Sequence, residues 1–477
     1  MADFDLIVKD GTVVTASDTH VADIGVLGGR IAALADNLPA SQAETVIDAT
    51  GKLVLPGGVE AHCHIDEPIY GGAVLADDFA SGSVAAACGG TTTFIPFANQ
   101  LPGHTLRQAV DDYHARAHGK SLIDYSFHMI VTDANEQVLG QELPGLLHDG
   151  YTSFKVFMTY DDFCLDDGEI LNVLATAKRH GGFVMVHAEN DHCIRWLAEQ
   201  LERAGRTEPA SFSIAHGPVV EREATHRAIS LAEIVETPVF IVHVSSAQAM
   251  EQIAWAQSRG LPVYAETCPQ YLFLSEEDFK REGWEGAKYV CSPPPRDPGN
   301  PDHLWRGLKN GTFQLVSSDH SPFRMEGPGG RIESAGELHF HKISPGIPGI
   351  EVRLPLMFSE GVNKGRIDLN HFVALTATNA AKLYGLYPQK GTIAIGSDAD
   401  IVLWDPDRRV TIRHAMLHDA ADYTPYEGFD VTGWPVLTLS RGEIVWRDGT
   451  VHGEPGRGRY LKRGASSAIQ SFSARST

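Results

Sequence analysis

Six residues that can bind a metal ion lie at the ends of short hydrophobic runs in this sequence. Two are histidines in VEAHCH, and on a β-strand their two-residue spacing places both imidazoles on the same face. TSFKVFMTY, FVMVHAEN, VFIVHVSS and LVSSDHSPF each contribute one more. Imidazole and carboxylate groups are typical ligands of zinc and similar divalent ions. The candidate metal ligands are His62, His64, Lys155, His187, His243 and Asp319.

Lys155 is the unusual member of this set. A protonated lysine offers only hydrogen-bond donors and cannot bind a metal ion. In an active site, a protonated Lys155 would instead be a cation that binds the substrate. A neutral lysine can react with CO2, and the resulting carbamate would bridge two ions as a carboxylate does. Composition alone leaves both interpretations open.

Strands alternating with helices must position these donors. Eight strand-like runs with helical patterns between them predict an α/β fold, a (β/α)8 TIM barrel. Successive donors from His64 to Asp319 are 91, 32, 56 and 76 residues apart, which assigns them to strands 1, 4, 5, 6 and 8. They therefore fall at the carboxyl ends of strands, where barrel enzymes build their sites. The runs are KLVLPGGVEAH, TTTFIPFA, DYSFHMIV, YTSFKVFM, GFVMVH, PVFIVHV, LPVYAET and TFQLVSS.

Both chain ends have a different sequence pattern from the barrel region. Short alternating strands with turns at DG, GG and TG occupy the start, and the same pattern returns in ADIVLWDPDRRVTI and VLTLSRGEIVWRDGTV. We expect residues 1–55 and 385–455 to form one smaller β-sandwich domain and residues 56–384 to form the barrel. The Ser- and Ala-rich residues 456–477 are expected to be a flexible or subunit-docking tail.

Composition excludes several classes of partner. The 477 residues carry a formal net charge of −22, which argues against nucleic-acid binding and against attraction to anionic membranes. No secretory signal and no membrane-spanning run is evident. The six cysteines are scattered without a CxxC pair, which favours free thiols in a cytoplasmic protein.

Several stretches together resemble the amidohydrolase superfamily, in particular its dihydropyrimidinase and hydantoinase (cyclic amidase) branch. The resemblance covers nearly the whole chain. It rests on PGGVEAHCHIDEP, DDFASGSVAAACGGTTTFI, SFKVFMTY, VHAEN, VHVSS, AETCPQYLFL, CSPP, SSDHSPF and TATNAAKLYGLYPQKGTIAIGSDADIVLWDP.

The resemblance implies two divalent metal ions, preferably zinc, with manganese or cobalt as alternatives. It implies that Lys155 is an N6-carboxylysine bridging them and that Asp319 also acts as the catalytic proton carrier. Tyr160, five residues after Lys155, would stabilise the oxyanion, and Ser292 and Pro345 would bind the substrate. A homo-oligomer, tetramer or dimer, is the implied assembly. The implied ligands are His62, His64 and Asp319 for one ion and His187 and His243 for the other.

The residue two positions after His64 helps to indicate which substrate the protein binds. Dihydroorotases resemble this chain but place there an arginine that binds the substrate carboxylate, whereas this chain has Asp66. The resemblance therefore favours hydrolysis of an uncharged dihydropyrimidine or 5-substituted hydantoin to an N-carbamoyl amino acid. Allantoin or another cyclic imide or ureide, and a non-catalytic scaffold, remain alternatives. The residues expected to meet the ring substituent are Ile69, Tyr70, Phe157 and Phe163.

Three neighbours of the ligands have open roles. His320 either supports the site or simply packs on the opposite face of the strand. Glu189 and Asn190 either orient the His187 loop or cap the following helix.

Overall fold

The computed structural model describes residues 3–68 and 72–475, and the predictions for Ile69 and Tyr70 lie outside these residues. The described strands form two hydrogen-bonded sheets. They are β1 (Phe4–Val14), β2 (Thr19–Leu27), β3 (Arg30–Ala35), β4 (Ala43–Asp48), β5 (Leu53–Pro56), β6 (Gly58–Cys63), β7 (Thr91–Asn99), β8 (Asp124–Tyr125), β9 (His128–Ile130), β10 (Ser153–Phe157), β11 (Phe183–His187), β12 (Val239–Ile241), β13 (Val263–Thr267), β14 (Leu315–Val316), β15 (Ile401–Thr411), β16 (Asp430–Ser440), β17 (Glu443–Arg447) and β18 (Thr450–Val451).

Helices separate most strands of the central region. They are α1 (Phe79–Cys88), α2 (Leu106–Ala117), α3 (Leu143–Asp149), α4 (Asp167–His180), α5 (Asp191–Arg203), α6 (Ala210–Ala215), α7 (Pro218–Val235), α8 (Ala247–Ser258), α9 (Pro269–Phe273), α10 (Asn300–Lys309), α11 (Arg331–Ala335), α12 (Arg353–Met357), α13 (Leu369–Val373), α14 (Asn379–Leu383) and α15 (Ser467–Arg475). None of the described helices is both long and apolar enough to cross a membrane.

The central sheet is parallel and follows the order β6-β7-β9-β10-β11-β12-β13-β14, with β8 beside β7. The backbone N–H of His64 donates to the carbonyl of His320 at 2.7 Å, which joins the two ends of the sheet. Strands such as β10 and β11 are buried throughout, as expected for a parallel sheet covered on both faces. The predicted (β/α)8 barrel is confirmed.

One predicted barrel strand is divided between the two sheets. The run KLVLPGGVEAH contributes β5 to the terminal sheet, where it pairs with β15 and β1, and only its second half, β6, enters the barrel. The chain crosses between the sheets at Gly57, where a Cβ atom would lie 2.0 Å from Oγ1 of Thr92. Glycine is therefore required at the crossing by close packing.

The terminal sheet combines strands from both chain ends in the order β18-β17-β16-β15-β5-β1-β2-β3, with β4 also beside β1. Its apolar residues build a separate core that includes Ile24, Ile401 and Leu439. A buried ion cluster connects this sheet to the barrel: Lys390 Nζ lies 2.7 Å from Asp124 of β8 and 2.8 Å from Asp400. The predicted second domain, assembled from both ends, is thus present.

The beginning of the segment expected to be a flexible or subunit-docking tail contacts the barrel. The backbone N–H of Leu461 donates to the carbonyl of Tyr125 at 2.7 Å. The guanidinium of Arg463 is buried and donates to Ser153 Oγ at 2.7 Å, at the beginning of β10. The segment therefore packs on its own barrel, at the end opposite the carboxyl ends of the strands.

Candidate metal centre

The six candidate ligands all lie at or near the carboxyl ends of barrel strands. His62 belongs to β6 and His64 follows it directly, whereas Lys155 lies within β10. His187 is the last residue of β11. His243 and Asp319 follow β12 and β14 by two and three residues. This placement agrees with strands 1, 4, 5, 6 and 8.

The side chains converge on one point. Asp319 Oδ1 lies 3.2 Å from His62 Nε2 and 3.5 Å from His64 Nε2. Lys155 Nζ lies 3.4 Å from the same His62 nitrogen. His243 Nε2 faces His187 Nδ1 at 2.9 Å. The structure therefore brings all six predicted side chains together as two adjacent groups, with Lys155 next to the first.

Three of the histidines turn their outer nitrogen toward a carboxylate. His62 Nδ1 is hydrogen-bonded to Glu266, and His64 Nδ1 to Glu67. His187 Nε2 donates to Glu189 at 2.8 Å. A proton held on the outer nitrogen leaves the inner nitrogen with a free lone pair, which is the arrangement found around metal-binding histidines. The residues present therefore fit a divalent metal centre, the kind of cofactor that the donor set predicts.

Burial favours neutral imidazoles at His62 and His243. His64 differs, because Glu67 and Asp319 outweigh burial and raise its pKa to about 9. Burial lowers the pKa of His62, and the neighbouring Lys155 lowers it further. Burial and the adjacent His187 likewise lower the pKa of His243. Burial also lowers the pKa of Lys155, which eases formation of its neutral amine. Burial raises the pKa of Asp319, but His62, His64 and Lys155 outweigh it, so this acid is ionised at neutral pH.

Tyr160 lies beside the second pair of histidines. Its ring centroid is 5.2 Å from that of His187, and Phe157 and Phe163 pack around it. Burial and the nearby Glu189 raise the pKa of the Tyr160 phenol, so it remains a hydrogen-bond donor. The backbone of Tyr160 has φ +74°, in the left-handed region that side chains other than glycine seldom adopt.

Ser292 and Pro345 lie on adjoining segments near Tyr160. The Ser292 hydroxyl donates to Glu189 at 2.6 Å, so its side chain is engaged within the protein. The N–H of Gly346 donates to the carbonyl of Val290 at 2.9 Å and joins the two segments. Pro345 and Tyr160 line one cavity of about 470 Å³ beside the metal centre.

The residues with open roles are resolved by their contacts. Glu189 is fully buried and accepts hydrogen bonds from His187, and it also pairs with His216 at 2.9 Å. Asn190 caps α5 by accepting the N–H of Cys193. His320 is buried between Asp77, 3.0 Å from its Nε2, and the N–H of Gly349. Glu189 thus orients a ligand, Asn190 is a helix cap, and His320 secures the loop that begins at Asp319.

Asp66 points away from the metal centre. Its carboxylate pairs with Arg116 of α2 at 2.8 Å and lies 3.6 Å from Lys120. The position therefore carries neither the arginine of a dihydroorotase nor a free charge directed toward the ligands.

Four residues of the centre were not identified from the sequence. Glu67 and Glu266 hold His64 and His62, and His216 shares Glu189 with His187. The ring of Phe97 lies beneath the centre, with Lys155 Nζ 4.7 Å above its centroid. Only Glu67, three residues after His64, carried a local signal. Glu266 is the last residue but one of β13, so its position near a strand end could have marked it as a candidate.

Comparison with known proteins places these features in a family. The model of the amidohydrolase family matches residues 53–445. A D-hydantoinase of Geobacillus stearothermophilus is 47% identical over 465 residues, 97% of each chain. A D-hydantoinase of Ralstonia pickettii is 45% identical over 460 residues, 96% of this chain and 99% of that protein. The crystal structure of a dihydropyrimidinase from Brevibacillus agri superposes with a TM-score of 0.93 at 46% identity, covering 96% of this chain and 99% of that one.

Proposed function

The chain belongs to the amidohydrolase family, and on this premise we propose that it is a metal-dependent cyclic amidase. Its substrate class is the 5-substituted hydantoins and dihydropyrimidines, which it opens to N-carbamoyl amino acids. One observation carries the proposal: three imidazoles are oriented by carboxylates, and the ring nitrogens opposite those carboxylates point to Asp319 or His243. The similarity to D-hydantoinases over nearly the whole chain supports the substrate class.

The proposed cofactor is a pair of divalent ions, preferably zinc. His62, His64 and Asp319 would hold one ion, and His187 and His243 the other. Lys155, carboxylated on its Nζ by CO2, would supply the shared anionic ligand, an assignment supported by its burial and lowered pKa. When bound, such ions supply a water of lowered pKa and polarise the substrate carbonyl.

The chain's own groups handle the proton and the developing charge. Asp319 is ionised and accepts the proton of the attacking water, then delivers it to the ring nitrogen that leaves as the C–N bond breaks. The Tyr160 hydroxyl remains protonated and donates a hydrogen bond to the carbonyl oxygen as negative charge develops there. Both groups lie beside the histidine cluster, on opposite sides of the barrel mouth.

Backbone groups near Ser292 and Pro345 would hold the ring amide, because the Ser292 side chain is engaged by Glu189. Phe157, Phe163 and Tyr160 form an apolar cluster where the substituent at carbon 5 would lie. The ion pair of Asp66 with Arg116 supports an uncharged ring, because no free cation replaces the missing arginine at that position. By similarity to the D-hydantoinases we infer a preference for the D enantiomer.

A cytoplasmic location and a homotetrameric or dimeric assembly complete the proposal. The described cysteines are all free, which supports a reducing compartment. Exposed apolar side chains, among them Trp196 and Ile234, support the presence of an interface between copies of this chain. Light scattering after size-exclusion chromatography measures the assembly.

A substrate panel tests the reaction. Dihydrouracil, D- and L-5-substituted hydantoins, allantoin, dihydroorotate and succinimide are compared by loss of ring absorbance, with metal content measured on the same sample. We expect about two ions per chain and hydrolysis of D-hydantoins or dihydrouracil. Hydrolysis of allantoin or succinimide alone would contradict the substrate class, and full metal content without any hydrolysis would contradict the reaction.

Lys155→Ala tests the carbamate. Activity and metal content should both fall, whereas Lys178→Ala, an exposed lysine of α4, should leave them unchanged. Full activity of Lys155→Ala with normal metal content would refute the role of Lys155.

A further inference from the structure

A second set of imidazole and carboxylate groups lies outside the candidate metal centre. Glu202 of α5 and the two histidines of the sequence HFH, His339 and His341, each place one potential ligand atom within 4.8 Å of the others. The two imidazole ring centroids are 4.0 Å apart. His341 Nδ1 lies 2.6 Å from Glu202 Oε1. Two imidazole rings and one carboxylate therefore meet at a single point.

The segment that carries both histidines is fixed by contacts of its own. Phe340, between them, is buried with 1% of its surface exposed, and its N–H donates to the carbonyl of Thr207 at 2.9 Å. The N–H of Lys342 donates to the carbonyl of His339 at 2.9 Å. This turn holds the two imidazoles on the side facing α5 without help from a ligand. The cluster is thus preorganised, which lowers the entropic cost of binding.

We propose that Glu202, His339 and His341 form a second divalent cation site of the zinc class. Two histidines and one carboxylate are a known zinc ligand set that leaves the fourth position to water. Imidazole ligands favour zinc over magnesium or calcium, which prefer oxygen. The site shares no ligand with the candidate metal centre.

The position of the site connects it to the substrate cavity. Glu202 and His341 line the same cavity as Tyr160 and Pro345. Their side chains are 40% and 42% exposed, so they lie at its outer end. A bound ion ties the last turn of α5 to the segment that continues to Pro345. The site therefore stands at the entrance of the cavity.

Calorimetric titration of the metal-loaded enzyme with Zn²⁺ tests this site. We expect one binding event per chain beyond the ions already held, because the ligands are accessible. His341→Ala and Glu202→Gln remove one ligand each, from different elements, and should each weaken this event by at least about tenfold, since loss of even an outer partner costs that much. Both side chains are exposed, so both variants should fold, as checked by circular dichroism.

His148→Ala is the matched control, because this histidine is 91% exposed and distant in sequence from the site. It should leave the additional event unchanged. Absence of the event in the wild-type protein, or its persistence at full affinity in both ligand variants, would overturn the proposal. Because binding rather than turnover is measured, failure here is distinguishable from failure of the proposed cyclic amidase reaction.

Discussion

Glu266 allows the construction of the metal centre to be tested through a residue that binds no ion itself. Its carboxylate is hydrogen-bonded to the outer nitrogen of His62, and the same oxygen accepts the backbone N–H of His243 at 3.2 Å. One buried group thereby orients one ligand from each of the two histidine groups. Burial raises the pKa of Glu266 to about 8, so Glu266 orients His62 through its hydrogen bond and not through its charge. In Glu266→Gln an amide replaces the carboxyl group that holds the outer nitrogen of His62, so this hydrogen bond is weakened.

The size of the effect follows from burial. Loss of a carboxylate behind a metal-binding histidine costs about 10–100-fold in metal affinity, or about 1.4–2.8 kcal/mol. Both His62 and Glu266 are fully buried, so water cannot compensate for the weakened hydrogen bond. Because the backbone of His243 is held by the same oxygen, we expect the loss of metal affinity to be near the upper end of this range, about 100-fold. Chelator competition measures the affinity, and kcat/KM is recorded on the same preparations.

Glu351→Gln is the matched control. Glu351 is also buried, with 3% exposed, and pairs with His418 at 2.9 Å, and neither residue is among the six candidate ligands. Its replacement removes the same chemical group from a similar environment and should leave metal affinity unchanged. Equal metal affinity of the two variants, or wild-type affinity of Glu266→Gln, would refute the claim that Glu266 orients a ligand.

Three further predictions concern the phenol, the ion cluster and pH. Tyr160→Phe should lower kcat by about 10²–10³ with little change in KM, in steady-state assays; an equal change in both would indicate a binding role instead. Lys390→Met removes the buried cation shared by three aspartates, of which Asp124 keeps its ion pair with Arg441, and should lower the free energy of unfolding in urea by about 3–5 kcal/mol; a loss below about 1 kcal/mol would contradict the pairing. Burial raises the pKa of Asp419 to about 7, so between the unfolded value of 3.8 and about pH 7 only the unfolded state ionises and stability falls as pH rises through this window. Asp419→Asn should therefore raise Tm at pH 8 but not at pH 3.5, and a pH-independent difference would contradict this.

The barrel and the convergence of the candidate ligands were predictable because their signals are local. Each strand is a short apolar run, and each candidate ligand lies within or just after one, so the pattern of runs located both. Glu67 is also local, three residues after His64, whereas Glu266 is 204 residues away from His62 along the chain. A partner at that distance leaves no trace in the sequence around the ligand.

Two features of the fold that were not predicted have the same physical origin. The run that contains β5 and β6 reads as one strand in the sequence, but the chain passes between the two sheets at Gly57, where Thr92 approaches closely. The C-terminal segment has the composition of a flexible tail, but Arg463 reaches a buried site at the beginning of β10. In both cases the local structure depends on a contact with a distant part of the chain, and such a contact cannot be predicted from local composition.

The loops after the strands show why the details of the site also depend on distant contacts. His243 and Asp319 have φ +38° and +49°, and such backbone geometry costs on the order of 1–3 kcal/mol at each residue. The loop before Asp319 is held in place by Glu60, which accepts the N–H of Ser318 at 3.1 Å.

Glu60 is itself fully buried and paired with Arg353 at 3.0 Å. Because Arg353 begins α12, after the last barrel strand, the geometry of a ligand is fixed by an ion pair between the first barrel strand and a late helix. The strained turn directs the Asp319 carboxylate toward His62 and His64, and the buried pair supplies the stability that keeps it there. The ligand types are therefore encoded at the strand ends, whereas their orientation is encoded in buried charges far from them in sequence.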